Sequence, residues 1–323
     1  MPSEPIFQTV IDALLDAKKP FPARYLQTFS DLEAASLKLL LKAWPKVSSR
    51  RKQSLLEDLK DLAESDPLTC FDDLGRALLT DPDASVRVLA IRLLWECEDR
   101  KLVPVFLKAL ETDESPEVRA ASATALGLFV YLGELEEFPA GILRSVEDAL
   151  LETAASKEPT LIRRRALEAL GFSSRPEVSP LIEAAIHHKD PDWVASALFA
   201  MGRSSDERWE KYILARLHHP NEDIRREAIR AAGEIGLPAS RQALLDLLED
   251  EEDPEPRRQV IRALSRIGGE GVRDRLEEVL LAETDDEEIE FIEEAMDNLV
   301  FTEGLEELDM FDFDPDKDLG EEQ

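Results

Sequence analysis

The 323 residues carry 39 Lys and Arg against 70 Asp and Glu, a net charge of −31, with 43% hydrophobic and 6% aromatic residues. That balance argues against general binding to nucleic acid, where affinity comes from cations on phosphates, and against docking on anionic membranes. It fits a soluble helical chain with a protein or peptide partner.

The first residues, MPSEPIFQTVIDALLDAKKP, lack a basic start, and Asp12 and Asp16 break the apolar run, so no signal peptide is expected. No stretch approaches the about 20 apolar residues of a membrane span. Helical patterns at 6–17, 32–43 and 53–63 read as an N-terminal cap or degenerate repeats over residues 1–67. Cys70 and Cys97 belong to no CxxC pair. They read as reduced, partly buried thiols in helical stretches of a cytoplasmic protein.

From residue 68 to 300 one pattern returns about seven times. IRREAIRAAG at Ile224 recurs as VRAASATALG at Val118, IRRRALEALG at Ile162 and PRRQVIRALS at Pro256. The copies anchor at Val86, Val118, Ile162, Trp193, Ile224, Pro256 and Ile289. All but one spacing lie close to 32 residues, the period of stacked supersecondary units. Each unit reads as a first helix, a turn rich in Asp and Pro, and a second helix formed by the decapeptide. Apolar residues at offsets 0, 4, 7 and 8 commit one face of that second helix to the core. No unit can bury its face alone, so the expected fold is an all-α, right-handed α-solenoid. One longer spacing holds an insertion, VYLGELEEFPAGI after Phe129, expected as a loop.

These residues resemble HEAT repeats, and among them the phycobilisome-lyase-type HEAT-like subset. The resemblance implies a ladder between the turn acid of each unit and an Arg that opens the second helix. The matching arginines are Arg87, Arg119, Arg163, Arg225 and Arg257, and the acids are Asp81, Asp113, Glu158, Asp190 and Asp253. Val194, Glu290 and the Pro220-Asn221 turn interrupt the pattern. Relatives of this class include bilin lyases, an iron-dependent hydroxylase whose metal site uses His-Glu pairs, and a DNA glycosylase with a cationic surface. This chain has no His-Glu dipeptide and is too acidic for the last of these. The histidines occur as His187-His188 and His218-His219, one repeat apart, and are weak metal candidates. As residues ending a first helix they also suit the negative helix end without any metal.

Offsets 2 and 6 of the second helices share a face off the apolar stripe. In units five and six they are Arg226, Arg230, Arg258 and Arg262, expected either to meet an anionic partner or to be neutralised by local acids. In the seventh they are assigned to Phe291 and Ala295. Residues 301–323 read as a disordered acidic tail in which Met310, Phe311 and Phe313 are embedded. That tail is a candidate partner-binding segment, able to dock on the four arginines. With no catalytic constellation and no cofactor expected, the chain reads as a monomeric scaffold or adaptor. The alternative is an accessory enzyme or chaperone of the lyase or hydroxylase type.

Overall fold

The computed structural model describes residues 4–309 except residue 252, and among these there are helices and no strands. Three helices open the chain: α1 (Glu4–Leu15), α2 (Ala34–Ala43) and α3 (Ser49–Ser65). Seven pairs follow, each a first helix and then a second. They are α4 (Asp72–Leu78) with α5 (Ala84–Leu93), α6 (Leu102–Thr112) with α7 (Pro116–Glu134), and α8 (Ala140–Ala155) with α9 (Thr160–Ala169). The series continues with α10 (Val178–Ile186) and α11 (Pro191–Ser204), then α12 (Glu210–Leu214) and α13 (Glu222–Ile235). It closes with α14 (Arg241–Asp250) and α15 (Pro254–Ile267), then α16 (Val272–Ala282) and α17 (Asp286–Asp309). The fold is an α-solenoid of stacked pairs, and it divides into two compact units, Met1–Val178 and Ser179–Gln323.

In the first unit Phe7, Val10, Ile11 and Leu14 of α1 bury against Phe29, Leu40, Leu56 and Leu59. The Phe7 and Phe29 rings meet edge to face with centroids 6.0 Å apart. In the second unit α11 and α13 bury the expected stripe, as at Ile224, Ala228, Ala231 and Ala232 of α13. Ser122, the polar exception on the stripe of α7, is fully buried and donates to the Val118 carbonyl at 2.9 Å, so its hydroxyl is satisfied. Gly236 ends α13 in the left-handed region (φ 72°), where a glycine carries no Cβ penalty.

Four expectations change. The insertion after Phe129 is mostly helix: α7 extends to Glu134 and α8 starts at Ala140, leaving only residues 135–139 between them. Leu132 and Gly133 on the added turn are buried, which gives the extension an apolar face to cover. The seventh repeat is anchored one residue earlier, at Glu288. Glu288, Ile292, Ala295 and Leu299 are the buried residues of α17, at offsets 0, 4, 7 and 11. An acid in place of the apolar anchor hid this register. Its charge is covered by Arg258, at 2.8 Å. The helix also runs on to Asp309, past residue 300.

The fourth change concerns the cysteines. Both lie in loops rather than helices, and Cys70 is exposed. Cys97 is buried, and burial pushes its thiol up to about 11. Because the thiolate is the reacting species, iodoacetamide at pH 8 should modify Cys70 and leave Cys97 intact. Peptide mapping checks this, and equal labelling of both in the folded protein would contradict it.

Candidate functional site

The turn between the two helices of each pair is built the same way seven times. A side chain accepts the backbone N–H two residues on, which turns the chain into the second helix. The acceptors are Asp81 (to Asp83, 2.9 Å), Asp113 (to Ser115, 2.9 Å), Ser156 (to Glu158, 3.0 Å) and His188 (to Asp190, 3.0 Å). His219 (to Asn221, 3.1 Å), Glu251 (to Asp253, 3.1 Å) and Glu283 (to Asp285, 3.2 Å) complete the series. The residue that donates this N–H often caps the helix in turn: the Asp83, Ser115, Asp190 and Asn221 side chains each accept a first-turn N–H.

This explains two of the four histidines. Nδ1 of His188 and of His219 is occupied as a turn acceptor, the place that Asp81 and Asp113 fill elsewhere. His187 lies against Tyr212 edge to face, with its Nδ1 2.8 Å from the Glu183 carbonyl, and His218 is exposed. Among the described residues no group of three or more His, Cys, Asp or Glu could hold a metal ion.

The arginines that open the second helices face two ways. Four tie the turn or the end of the first helix of their own unit through a backbone carbonyl: Arg87 to Asp81 (2.8 Å), Arg119 to Leu110 (2.7 Å), Arg163 to Ala154 (3.1 Å) and Arg225 to His219 (2.9 Å). Three of the five, Arg257 among them, reach the turn acid of the next repeat. Arg87 grips Asp113 with two bonds, at 2.7 and 3.0 Å, Arg119 meets Glu158 at 2.8 Å, and Arg257 meets Glu283. Burial alone would raise the Asp113 carboxyl, but the Arg87 bond and the Ser115 N–H outweigh it and hold it below the usual carboxylate range. The Thr284 N–H, Arg257 and the Asp285 N–H bring Glu283 down to about 2. Asp190 caps α11, and Asp253 is exposed at the start of α15.

One rung precedes the repeats recognised in the sequence. Asp81 is buried and receives Lys52 Nζ at 3.1 Å and Trp44 Nε1 at 2.7 Å. Lys52 is the fourth residue of α3, as Arg87 is the fourth of α5, so α3 offers its cation in the same register. A lysine replaces the arginine, and no Asp-Pro precedes it, so the rung does not share the residue types of the repeating pattern.

Of the four arginines expected either to meet an anionic partner or to be neutralised by local acids, three are paired with acids. Arg226 pairs with Asp223 at 2.6 Å. Arg230 pairs with Glu227 at 2.7 Å and with Glu234, and lies 3.9 Å from the Phe199 ring centre. Arg258 places Nε and Nη2 each 2.8 Å from Glu288. Arg262 is exposed and stacks on Phe291 at 5.3 Å. In the corrected register Phe291 and Ala295 sit at offsets 3 and 7, not 2 and 6. Local acids therefore pair three of the four arginines, and Arg230 and Arg262 lie on aromatic rings. Met310, Phe311 and Phe313 lie outside the described residues.

A separate groove of about 350 Å³ opens between α3, α5 and α7. Its walls include Gln53, Val88, Leu89, Arg92 and Glu117. Val88 and Arg92 are the offset 2 and 6 positions of the first repeat, so the groove lies on the face that the helical spacing singles out.

No curated protein matches the chain. Among solved structures, an engineered protein is 18% identical with a TM-score of 0.38, covering 92% of this chain and 92% of its own. Human deoxyhypusine hydroxylase in complex with glycerol is 20% identical with a TM-score of 0.35, covering 81% of this chain and 95% of its own. A sequence family described as HEAT repeats matches at residues 71–140 and 210–296. The recurring turn and the helix pairs coincide with this match: those two segments of the chain are similar to HEAT repeats.

Proposed function

We propose that this chain is a non-enzymatic scaffold or adaptor that binds a protein partner along the exposed face of its second helices. The observation that carries the reading is the groove on α3, α5 and α7. It is a concave site that mixes the Val88 and Leu89 side chains with charged Arg92 and Glu117, on helices locked together by the Lys52–Asp81 and Arg87–Asp113 pairs. The stacked Arg230–Phe199 and Arg262–Phe291 pairs add aromatic and arginine surface of the kind enriched at interfaces. Two free thiols suit the cytoplasm. The particular lyase-type subset and the monomeric state belong to the same proposal.

Photo-cross-linking tests it. A benzoylphenylalanine at Val88 or Arg92 should trap a partner in the native cell. The same group at Val105, exposed on first helix α6, should not. Equal capture from all three positions, or stoichiometric iron in the purified protein, would turn the reading towards the enzymatic alternative.

A further inference from the structure

The chain's charge is unevenly placed. Between residues 17 and 56 lie nine Lys and Arg and only two acids, Asp31 and Glu33, a local net charge of +7 in a protein of −31. Four of these cations, Lys18, Lys19, Arg50 and Arg51, line one cavity of about 480 Å³ where the segment after α1 meets the first turn of α3. We propose that this cavity is a docking site for an acidic peptide segment, one carrying an apolar side chain among its carboxylates, on a protein partner.

Three observations support it. First, among the described residues none of the four cations is ion-paired, whereas Arg226, Arg230 and Arg258 are taken up by local acids. Four like charges in one cavity repel each other until an anion enters. Second, the site is pre-formed. Arg51 donates to the carbonyls of Asp16 (3.1 Å) and Lys19, so its charge is held in place by groups that do not cancel it, and it fixes the Lys18-Lys19 segment against α3. Third, the walls are not those of a phosphate cradle. The Arg51 N–H already goes to the capping Ser48, and Phe21 and Leu55 add apolar surface. The lining also includes Asp58, which would oppose a compact polyanion seated deep in the cavity. Arginine clusters beside apolar surface are a recurring means of reading acidic peptide motifs. Exposed ion pairs give only about 0–1 kcal/mol each, so the apolar contact is needed for affinity.

The inference rests on the partner-binding reading but can fail separately. Its probe is a fluorescein-labelled ten-residue peptide of Asp and Glu around two Phe, titrated into the full chain at 150 mM salt. The exposed pair Lys19→Glu and Arg50→Glu should weaken binding at least tenfold. The equally exposed pair Lys38→Glu and Lys42→Glu, which changes net charge by the same amount away from the cavity, should change it less than twofold. Replacing both Phe of the probe by Ser should also weaken it at least fivefold. Equal loss from the two charge reversals, absence of saturable binding, or a Ser-containing probe that binds as well and is displaced by tripolyphosphate would each overturn the proposal. Because the charge-reversed residues lie outside the α3, α5 and α7 groove, cross-linking from Val88 should persist in the Lys19→Glu, Arg50→Glu variant. Loss of Val88 cross-linking in the unaltered chain would instead count against the scaffold reading itself.

Discussion

Replacing Asp81 by Ala should destabilise the first unit by about 4–5 kcal/mol, the upper part of the range for breaking a buried ion pair from one side. Lys52 and Asp81 are each only 7% exposed, so solvent does little to screen their interaction. The Asp81 carboxylate serves three donors: Lys52 Nζ, Trp44 Nε1–H and the Asp83 N–H of its own turn. Alanine strips all three and leaves a buried ammonium unpaired. Lys52→Met should cost less, about 3 kcal/mol, because the remaining carboxylate keeps its other two donors and the methionine fills the space of the lysine stem. The double variant Lys52→Met, Asp81→Leu should recover part of the loss, since no unpaired charge stays inside. Urea unfolding followed by circular dichroism, read as a double-mutant cycle, measures all three. Losses below 1 kcal/mol for Asp81→Ala would mean that the pair contributes no more than a surface bridge.

That pair also marks how far the sequence could be read. The helix pairs, the turn acids Asp81 and Asp113 and the ladder arginines Arg87 and Arg119 are visible because they recur at a fixed period with the same residue types. Where the same place is filled by different chemistry, periodicity falls silent. Lys52 stands in an arginine's place, and His188 and His219 accept the turn N–H that an aspartate accepts elsewhere. Glu288 occupies an apolar anchor because Arg258 covers its charge. The basic cavity escaped for another reason. Lys18 and Lys19 are separated from Arg50 and Arg51 by about thirty residues of chain, and only the docking of the segment after α1 on α3 brings them together. A running charge count would have found the excess over residues 17–56, but not its concavity. Likewise the arginines at offsets 2 and 6 were legible as a face, while their neutralisation depends on rotamers that bring Glu227, Glu234 and Glu288 to them.

Gly233→Val should destabilise the second unit by about 3 kcal/mol, at the upper end of the cost of inserting methyl groups into a packed contact. Gly233 closes the decapeptide of α13, and a Cβ there would lie 2.7 Å from the Cα of Ala263 and 2.9 Å from its Cβ on α15. The obstacle is backbone, which no rotamer change relieves, so α13 and α15 would have to separate and expose part of the buried surface at Ile229, Ala232 and Leu264. Two other glycines distinguish this crowding from a general intolerance of side chains. Gly236 has open space around it but holds φ at 72°, so Gly236→Ala should cost about 1–2 kcal/mol through backbone strain alone. Gly141, in the first turn of α8, has nothing within 4 Å of the place a Cβ would take. It should accept alanine with a gain of up to about 1 kcal/mol from reduced freedom of the unfolded chain. Urea unfolding of the three variants should therefore give a large loss, a small loss and a slight gain. If Gly233→Val fell within about 0.5 kcal/mol of the unaltered protein, the close approach of α13 and α15 would not be what the glycine at the end of the decapeptide provides.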